Sequence, residues 1–486
     1  MVDIYVLNTD FQIMGLIDTY ESFIWTDRFY SYGEFELYTA FDYDLIQLCK
    51  QNYYVWIKQS EHMMIIEGVE IESDADTGNK LKITGRSLEC MIDRRIVWQQ
   101  MTIAANTTFQ NAVKRLMDDA FFYPQPYSGS YSASNRTRRR NASQLALANK
   151  RILKNLVFEL STDPYILGLK VDKVEYTGDN LYDIFTKMFE DAQNTVGYKI
   201  TVKDNQYIVT YDVSMKSGKT YYELINGVYT VTTDTSFRNN KTYYEFVAHA
   251  FVFQLYTGVD RSYAQQEYVK TEDLSRNPEK TYYILQDNQY VEWVPASAST
   301  DFTKGVTYYE HRGKYPYVIF SPQFDNVINS NYIDNLNMMK NVTLVAGEGE
   351  GTARRTIIVG ESEDLIRREI FTDARDMRLE DYGNNAAKYN DALKKRGLAN
   401  LTEFSRITSY EGKVESTRQF VYGEDFFLGD IIQMANEYGI EGNARVVEWV
   451  LSDSADGIEM YPTFDAVKVL DTATTEGDDS DNNPQS

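Results

Sequence analysis

The sequence predicts an α+β protein that is rich in β structure and divided into several domains. Three observations carry this. Alternation with a period of two recurs from the N-terminus to about residue 470, while stripes at helical spacing occur in only a few places. Tyrosine is in excess, with 39 Tyr against 24 Phe and 5 Trp, and aromatic residues suit pleated, half-wet surfaces. At 486 residues the chain is too long for one core, since a domain takes roughly 150 residues.

Residues 1–106 read as a first β domain with tight hairpins. Ile4 and Val6 alternate, then Tyr53, Val55 and Ile57, then Met63, Ile65, Val69 and Ile71, with a turn at Asp76-Thr77-Gly78-Asn79 leading to Leu81 and Ile83. Its densest stretch is LIDTYESFIWTDRFYSYGEFEL (16–37), a strand–turn–strand reading with Gly33 near the turn. Such a stretch is a packed strand or an interface anchor. Tyr20, Phe23, Trp25, Asp27, Arg28 and Tyr30 are therefore candidates for contact with another protein.

Residues 107–218 read as a helix-and-hairpin domain. Thr107 and Gln110 have capping-box spacing, and Phe109, Ala112, Val113, Leu116, Met117 and Ala120 form a stripe. Leu181, Ile184, Phe185, Met188, Phe189 and Ala192 repeat it behind Asn180 or Asp179 as cap. A hairpin follows, with Asp204-Asn205 as its turn. The polar stretch 124–145 carries a basic run, Arg136–Arg140, and reads as a solvated loop.

An internal repeat comes next. KTYYELINGVYTVTTDTSFRNNKTYYEF (219–246) resembles KTYYILQDNQYVEWVPASASTDFTKGVTYYEH (280–311), each with an Asn-containing turn (Asn226-Gly227, Asp287-Asn288) and a late Phe (Phe237, Phe302). Each copy is expected to be a small inserted β module, with 247–279 returning to the larger fold between them. Paired tyrosines can stack on sugars, which makes Tyr221, Tyr222, Tyr282 and Tyr283 candidate glycan contacts, although a small aromatic core is the favoured reading.

Residues 312–403 read as a second β and helix domain: a strand, an Asn-rich loop, the strand Val342–Ala346, a glycine hairpin, a strand at Arg354–Val359, a helix at Asp364–Asp376 behind Ser362, and a helix at Asn385–Arg396 closed by Gly397. Residues 404–470 read as a small C-terminal barrel, and 471–486 as an acidic disordered tail.

No catalytic pattern rises above background, although 72 acidic residues leave a glycosidase-type carboxylate pair compatible with the sequence. His62, His249 and His311 have no metal-spaced partners, and Cys49 and Cys90 lack a CxxC context. Gly347-Glu348-Gly349-Glu350-Gly351 has no Lys-Ser/Thr and puts carboxylates where a phosphate would sit, so it reads as a hairpin tip. The Asp/Asn-rich segment 325–335 lacks EF-hand spacing and reads as turns rather than a calcium loop. No catalytic, cofactor-binding or metal residues are expected. A net charge of −23 argues against binding DNA through its phosphates, and would let nucleic acid pass without sticking. Two cysteines, an acidic N-terminus and no apolar run of spanning length point to a soluble protein folded in a reducing cytoplasm.

Seven blocks in order along the chain resemble the Gp37-like family of siphovirus tail proteins: residues 15–38, 83–98, 251–263, 318–332, 340–351 (KNVTLVAGEGEG), 367–376 and 420–440. That family in turn resembles the baseplate hub at the tip of phage tails. The resemblance implies a virion protein at the tail tip, assembled in the host cytoplasm as a homotrimer. Each subunit would give two similar β-barrel (tube) domains to a ring with a pseudo-sixfold face. Implied partners are the distal tail protein ring, the tail tube or tape-measure protein, and receptor-binding or fibre proteins. DNA would pass through the lumen without specific binding. The two TYYE modules depart from the family pattern and resemble insertions in tail proteins of phages of low-GC Gram-positive hosts. The alternative is a tail-tip protein that binds or degrades host cell-wall carbohydrate. No catalytic set is implied, and the chain ends too soon after its last β domain for a long fibre or hydrolase extension.

Overall fold

A computed structural model describes residues 1–467 apart from 75–77, 99, 123–149, 211, 213, 239, 265, 272, 274, 279, 287–288, 298–299, 314, 352–353 and 415–418. The Asp76-Thr77 and Asp287-Asn288 turns, the Arg136–Arg140 run and the acidic tail lie outside these residues.

The largest sheet has eleven strands among the described residues. Along its path lie Ile13–Ile17, Ile4–Leu7, Tyr54–Ile57, Met63–Asp74, Gly78–Ser87, Glu34–Ala40, Ser22–Arg28, Glu441–Ser454, Ile431–Ala435 and Ile319–Phe320, with Gly457–Ala466 also paired to Glu441–Ser454. The 404–470 region is therefore not a separate small barrel. Its strand Glu441–Ser454 runs antiparallel to Ser22–Arg28, with Trp449 opposite Asp27, Leu451 opposite Trp25 and Asp453 opposite Phe23. The physical reason is an open edge. Ser22–Arg28 has Glu34–Ala40 on one side only, and an unpaired row of backbone groups takes up the next strand with matching alternation. Sequence periodicity cannot say which strand that is. Asp453 also fastens the N-terminus, accepting from the Val2 amide at 2.8 Å and the Tyr20 hydroxyl at 2.5 Å.

A second core is built on helices. Phe109–Met117 and Leu181–Asp191 bury their apolar stripes against Tyr198 and Phe253. Asn180 caps the second helix as expected. The first is capped one residue late, by Thr108, because the Gln110 side chain accepts from the Ser161 amide at 2.6 Å instead of closing a capping box. Asp204-Asn205 is not a turn. Gly197–Val209 is one long strand paired to Tyr244–Tyr256, with Asn205 taking a left-handed φ of 55° within it.

A third core lies between the strands Val342–Ala346, Thr356–Val359 and Glu369–Asp373 and the helix Ala386–Glu403. Two expectations change here. The helix read over Asp364–Asp376 is a short 3₁₀ turn at Asp364–Ile366 followed by the strand Glu369–Asp373, parallel to Val342–Ala346. Leu365 and Ile366, which gave the helical stripe, are 98% and 70% exposed. The last helix runs through Gly397 rather than stopping there. Gly397 is where it touches the sheet: a Cβ would lie 2.6 Å from a Val345 methyl and 2.9 Å from a Val359 methyl. The Asn-rich segment is likewise a strand, Val327–Asn335, paired to Ile407–Val414.

The two repeats have one strand order. In the first, Gly197–Val209, Tyr244–Tyr256, Tyr222–Ile225 and Val228–Val231 lie side by side, continuing the long hairpin. In the second the order is Gln266–Lys270, Tyr308–Gly313, Tyr282–Gln286 and Gln289–Glu292. Asn226 and Gly227 both have positive φ, as a two-residue hairpin turn requires.

Candidate assembly surfaces

The aromatic N-terminal block is interior, which corrects its reading as a contact surface. Phe23 and Trp25 are fully buried, Tyr20 and Asp27 nearly so, and their rings pack with Phe35, Trp449 and Leu451 in one core. Arg28 and Tyr30 keep partial exposure, but the Arg28 guanidinium is held within the chain by Glu448 at 2.7 Å and Glu34 at 2.8 Å. Phe29 packs edge-on to Tyr256, which joins the block to the helical core.

Asp27 belongs to a buried polar network that periodicity did not reveal. Its carboxylate accepts from the Trp25 indole at 2.8 Å and the Ser60 hydroxyl at 2.6 Å. His62 faces Glu89 at 3.4 Å, and Glu89 accepts from the Ile200 amide at 2.5 Å. Burial alone would lower the His62 pKa, but the carboxylates of Asp27 and Glu89 outweigh it and raise it to about 9. Burial pulls Glu89 upward, and the imidazolium more than offsets this, so Glu89 ends below the usual range. Burial holds Asp27 above its ordinary value despite His62 and its two donors. The network ties the large sheet to the strand Gly197–Val209.

Apolar groups do reach solvent elsewhere. On the three-stranded sheet Leu344 is opposite both Ile358 and Phe371, and all three point away from the helix and are exposed. Between this unit and the helical core lies a cleft of about 1050 Å³. Arg396 spans it, donating to Asp172 and Asp376 at 3.0 Å each, beside the ion pair Lys173–Asp381 at 3.1 Å.

The modules are built from one repeated loop. In KTYYE (219–223) the Tyr221 hydroxyl donates to Asp212 at 2.8 Å and accepts from the Lys216 amide at 3.1 Å. Tyr243 does the same with Asp234 and the Arg238 amide, and Tyr282 with Asp273 and the Asn277 amide. Tyr308 accepts from the Thr303 amide at 2.9 Å. The opening and closing motifs of each repeat are thus copies of the same loop, a signal present in the sequence as KTYYE at both 219 and 241. Tyr221 and Tyr282 are buried, with ring edges against Phe237 and Phe302, so neither can stack on a sugar. Tyr222 and Tyr283 are half-buried on the sheet face.

Among the described residues no group of three or more His, Cys, Asp or Glu is placed to hold a metal ion, and no helix is long and apolar enough to cross a membrane. Cys49 and Cys90 are buried free thiols, both raised to about 12 by burial. The glycine-rich segment is a hairpin tip whose carbonyls at Ala346 and Gly347 accept from the Arg354 guanidinium at 2.7 Å.

The chain belongs to the family of Siphovirus ReqiPepy6 Gp37-like proteins, which it matches over residues 3–464. A search of curated sequences found no match. Among solved structures it is similar to a tail protein from Neisseria meningitidis MC58, at 12% identity and a TM-score of 0.46, covering 97% of each chain. The 43 kDa tail protein of prophage MuSo2 from Shewanella oneidensis has 8% identity and a TM-score of 0.45, covering 96% of this chain and 98% of that one. Prophage tail protein gp18 from Listeria monocytogenes EGD-e has 12% identity and a TM-score of 0.44, with 97% and 96% covered.

Proposed function

We propose that this protein is the hub subunit at the distal end of a siphovirus tail. Three copies form a ring that joins the sixfold distal tail protein to the threefold tip and closes or gates the DNA channel. The observation that carries this is the exposed row Leu344, Ile358 and Phe371 on a sheet whose other face packs against a helix. A cross-strand apolar row left open in a folded subunit fits a neighbouring protein. The contact read from sequence at the N-terminal block is buried, so this reading places the ring contact on the three-stranded sheet instead.

The tail tube or tape-measure protein, and receptor-binding or fibre proteins, are the further partners of this reading, and the tail tip its place in the virion. The charge of −23 supports an acidic lumen through which DNA slides without phosphate contacts. A cryo-EM map of the particle tests both points. The expected result is three copies around the channel at the tail's far end with carboxylates facing inward. A different position, or a basic channel wall, contradicts the proposal.

A further inference from the structure

We infer that the two β modules are a matched pair of binding sites for an uncharged polysaccharide, each presenting the same tyrosine face. In the first module Tyr207, Tyr222, Tyr229 and Tyr244 share one side of the sheet. Tyr207 and Tyr229 stack at 4.2 Å, Tyr222 meets Tyr207 at 76°, and Tyr244 meets Tyr229 at 72°. In the second module Tyr268 and Tyr290 stack at 4.2 Å, Tyr283 meets Tyr268 at 73°, and Tyr309 meets Tyr290 at 74°. The ring pairs of the two clusters match one for one in distance and angle. None of these eight tyrosines is part of the buried cores formed by the described residues, and Leu224 and Leu285 extend the face at 48% and 47% exposure.

The interior behind that face has changed between the copies. In the first module two ionic cages lock the loops. Asp212, Lys219, Glu245 and Thr210 form one, and Asp234, Lys241, Glu223 and Thr232 the other. The second module keeps the first cage, as Asp273, Lys280, Glu310 and Thr271. In place of the other it has Trp293, whose amide donates to the Tyr282 carbonyl as that of Thr232 does to Tyr221. Ile284 stands where Glu223 was and Val306 where Lys241 was, while Trp293 packs on Phe302 and Tyr308. Across that change four tyrosines and a leucine stay fixed, while Val209, Val231 and Phe246 on the same face give way to Lys270, Glu292 and His311. A set of residues needed only for folding has no reason to stay fixed in this way. A face that meets a ligand does.

What the two copies share identifies the ligand. Both keep four tyrosines and a leucine, and the shared set carries no charge. The charged positions differ, with Lys270 and Glu292 standing where the first module has Val209 and Val231. Rings in two orientations with phenolic hydroxyls suit sugars, which offer C–H faces and hydroxyl groups together. Single-stranded nucleic acid also stacks on aromatic platforms, but it needs a basic groove, and the chain carries −23. Two like sites on one chain suit a ligand that repeats, since a polymer can engage both at once.

The test uses the full chain on an array carrying neutral polymers (β-glucan, rhamnan and N-acetylglucosamine oligomers) beside poly(glycerol phosphate) and single-stranded DNA. Leu224→Arg and Leu285→Arg block each face without removing a ring, and an unchanged melting temperature checks folding. The expected result is binding to at least one neutral polymer, weakened more than tenfold by either substitution and abolished by both. Failure to bind every neutral polymer, binding only to the anionic probes, or equal binding by the double variant overturns the inference. None of these outcomes bears on the ring assembly, which is read separately by particle mass.

Discussion

His62 shows how a single residue sets a measurable property. Its pKa is higher in the folded chain, about 9 against an ordinary 6.5, so the stabilisation is complete below about pH 6.5 and is lost as pH rises through about 9. A shift of that size corresponds to on the order of 3 kcal/mol. Denaturant unfolding followed from pH 6.5 to 10 should show stability falling over that window, and His62→Gln should remove the fall. The substitution should also cost about 3–5 kcal/mol near neutrality, because Glu89 is left buried without its counter-charge. A flat profile in the parent protein contradicts the buried imidazolium. None of this was legible in the sequence, where His62 reads only as a histidine without a metal-spaced partner. The same holds for Trp25 and Phe23. Aromatic density marks burial, but a monomer's core and an interface have the same composition locally, and only the strand pairing separates them.

At the scale of elements, what could be read depended on whether a segment's period was set by its own residues. The helices at 109–117 and 181–191 were legible because their stripes bury on a core that accepts helices. Glu369–Asp373 was misread as helix because its parallel partner lies elsewhere in the chain. Gly397 was misread as a stop because glycine also serves close helix–sheet approach. Gly397→Ala should therefore destabilise by about 1–3 kcal/mol, although alanine favours helix, since its methyl must push Val345 aside. A gain in stability on chemical unfolding would contradict that packing. The tyrosine loops make a local prediction. Tyr282→Phe removes the hydroxyl that joins Asp273 to the Asn277 amide and should cost about 1–2 kcal/mol. Hydrogen exchange should rise in the second module and stay unchanged in the first.

Over the whole molecule, the first and last β segments are one sheet, so the two ends fold together or not at all. Removing residues from 441 onward should leave Ser22–Arg28 as an open apolar edge and yield aggregated protein, read by light scattering. A soluble, cooperatively melting truncation contradicts the shared sheet. Long-range pairing of this kind leaves no local trace, which is why the overall class was legible and the division into units was not. The central claim about function is that this chain is a ring subunit seated through the open face of its three-stranded sheet. Mass photometry of the purified protein, alone and with the distal tail ring, tests it most directly. The account predicts particles at three times 56.3 kDa that bind the ring, and single chains when Leu344 and Ile358 are both changed to Asp. A 56.3 kDa monomer that ignores the ring, or trimers that survive both substitutions, would contradict it.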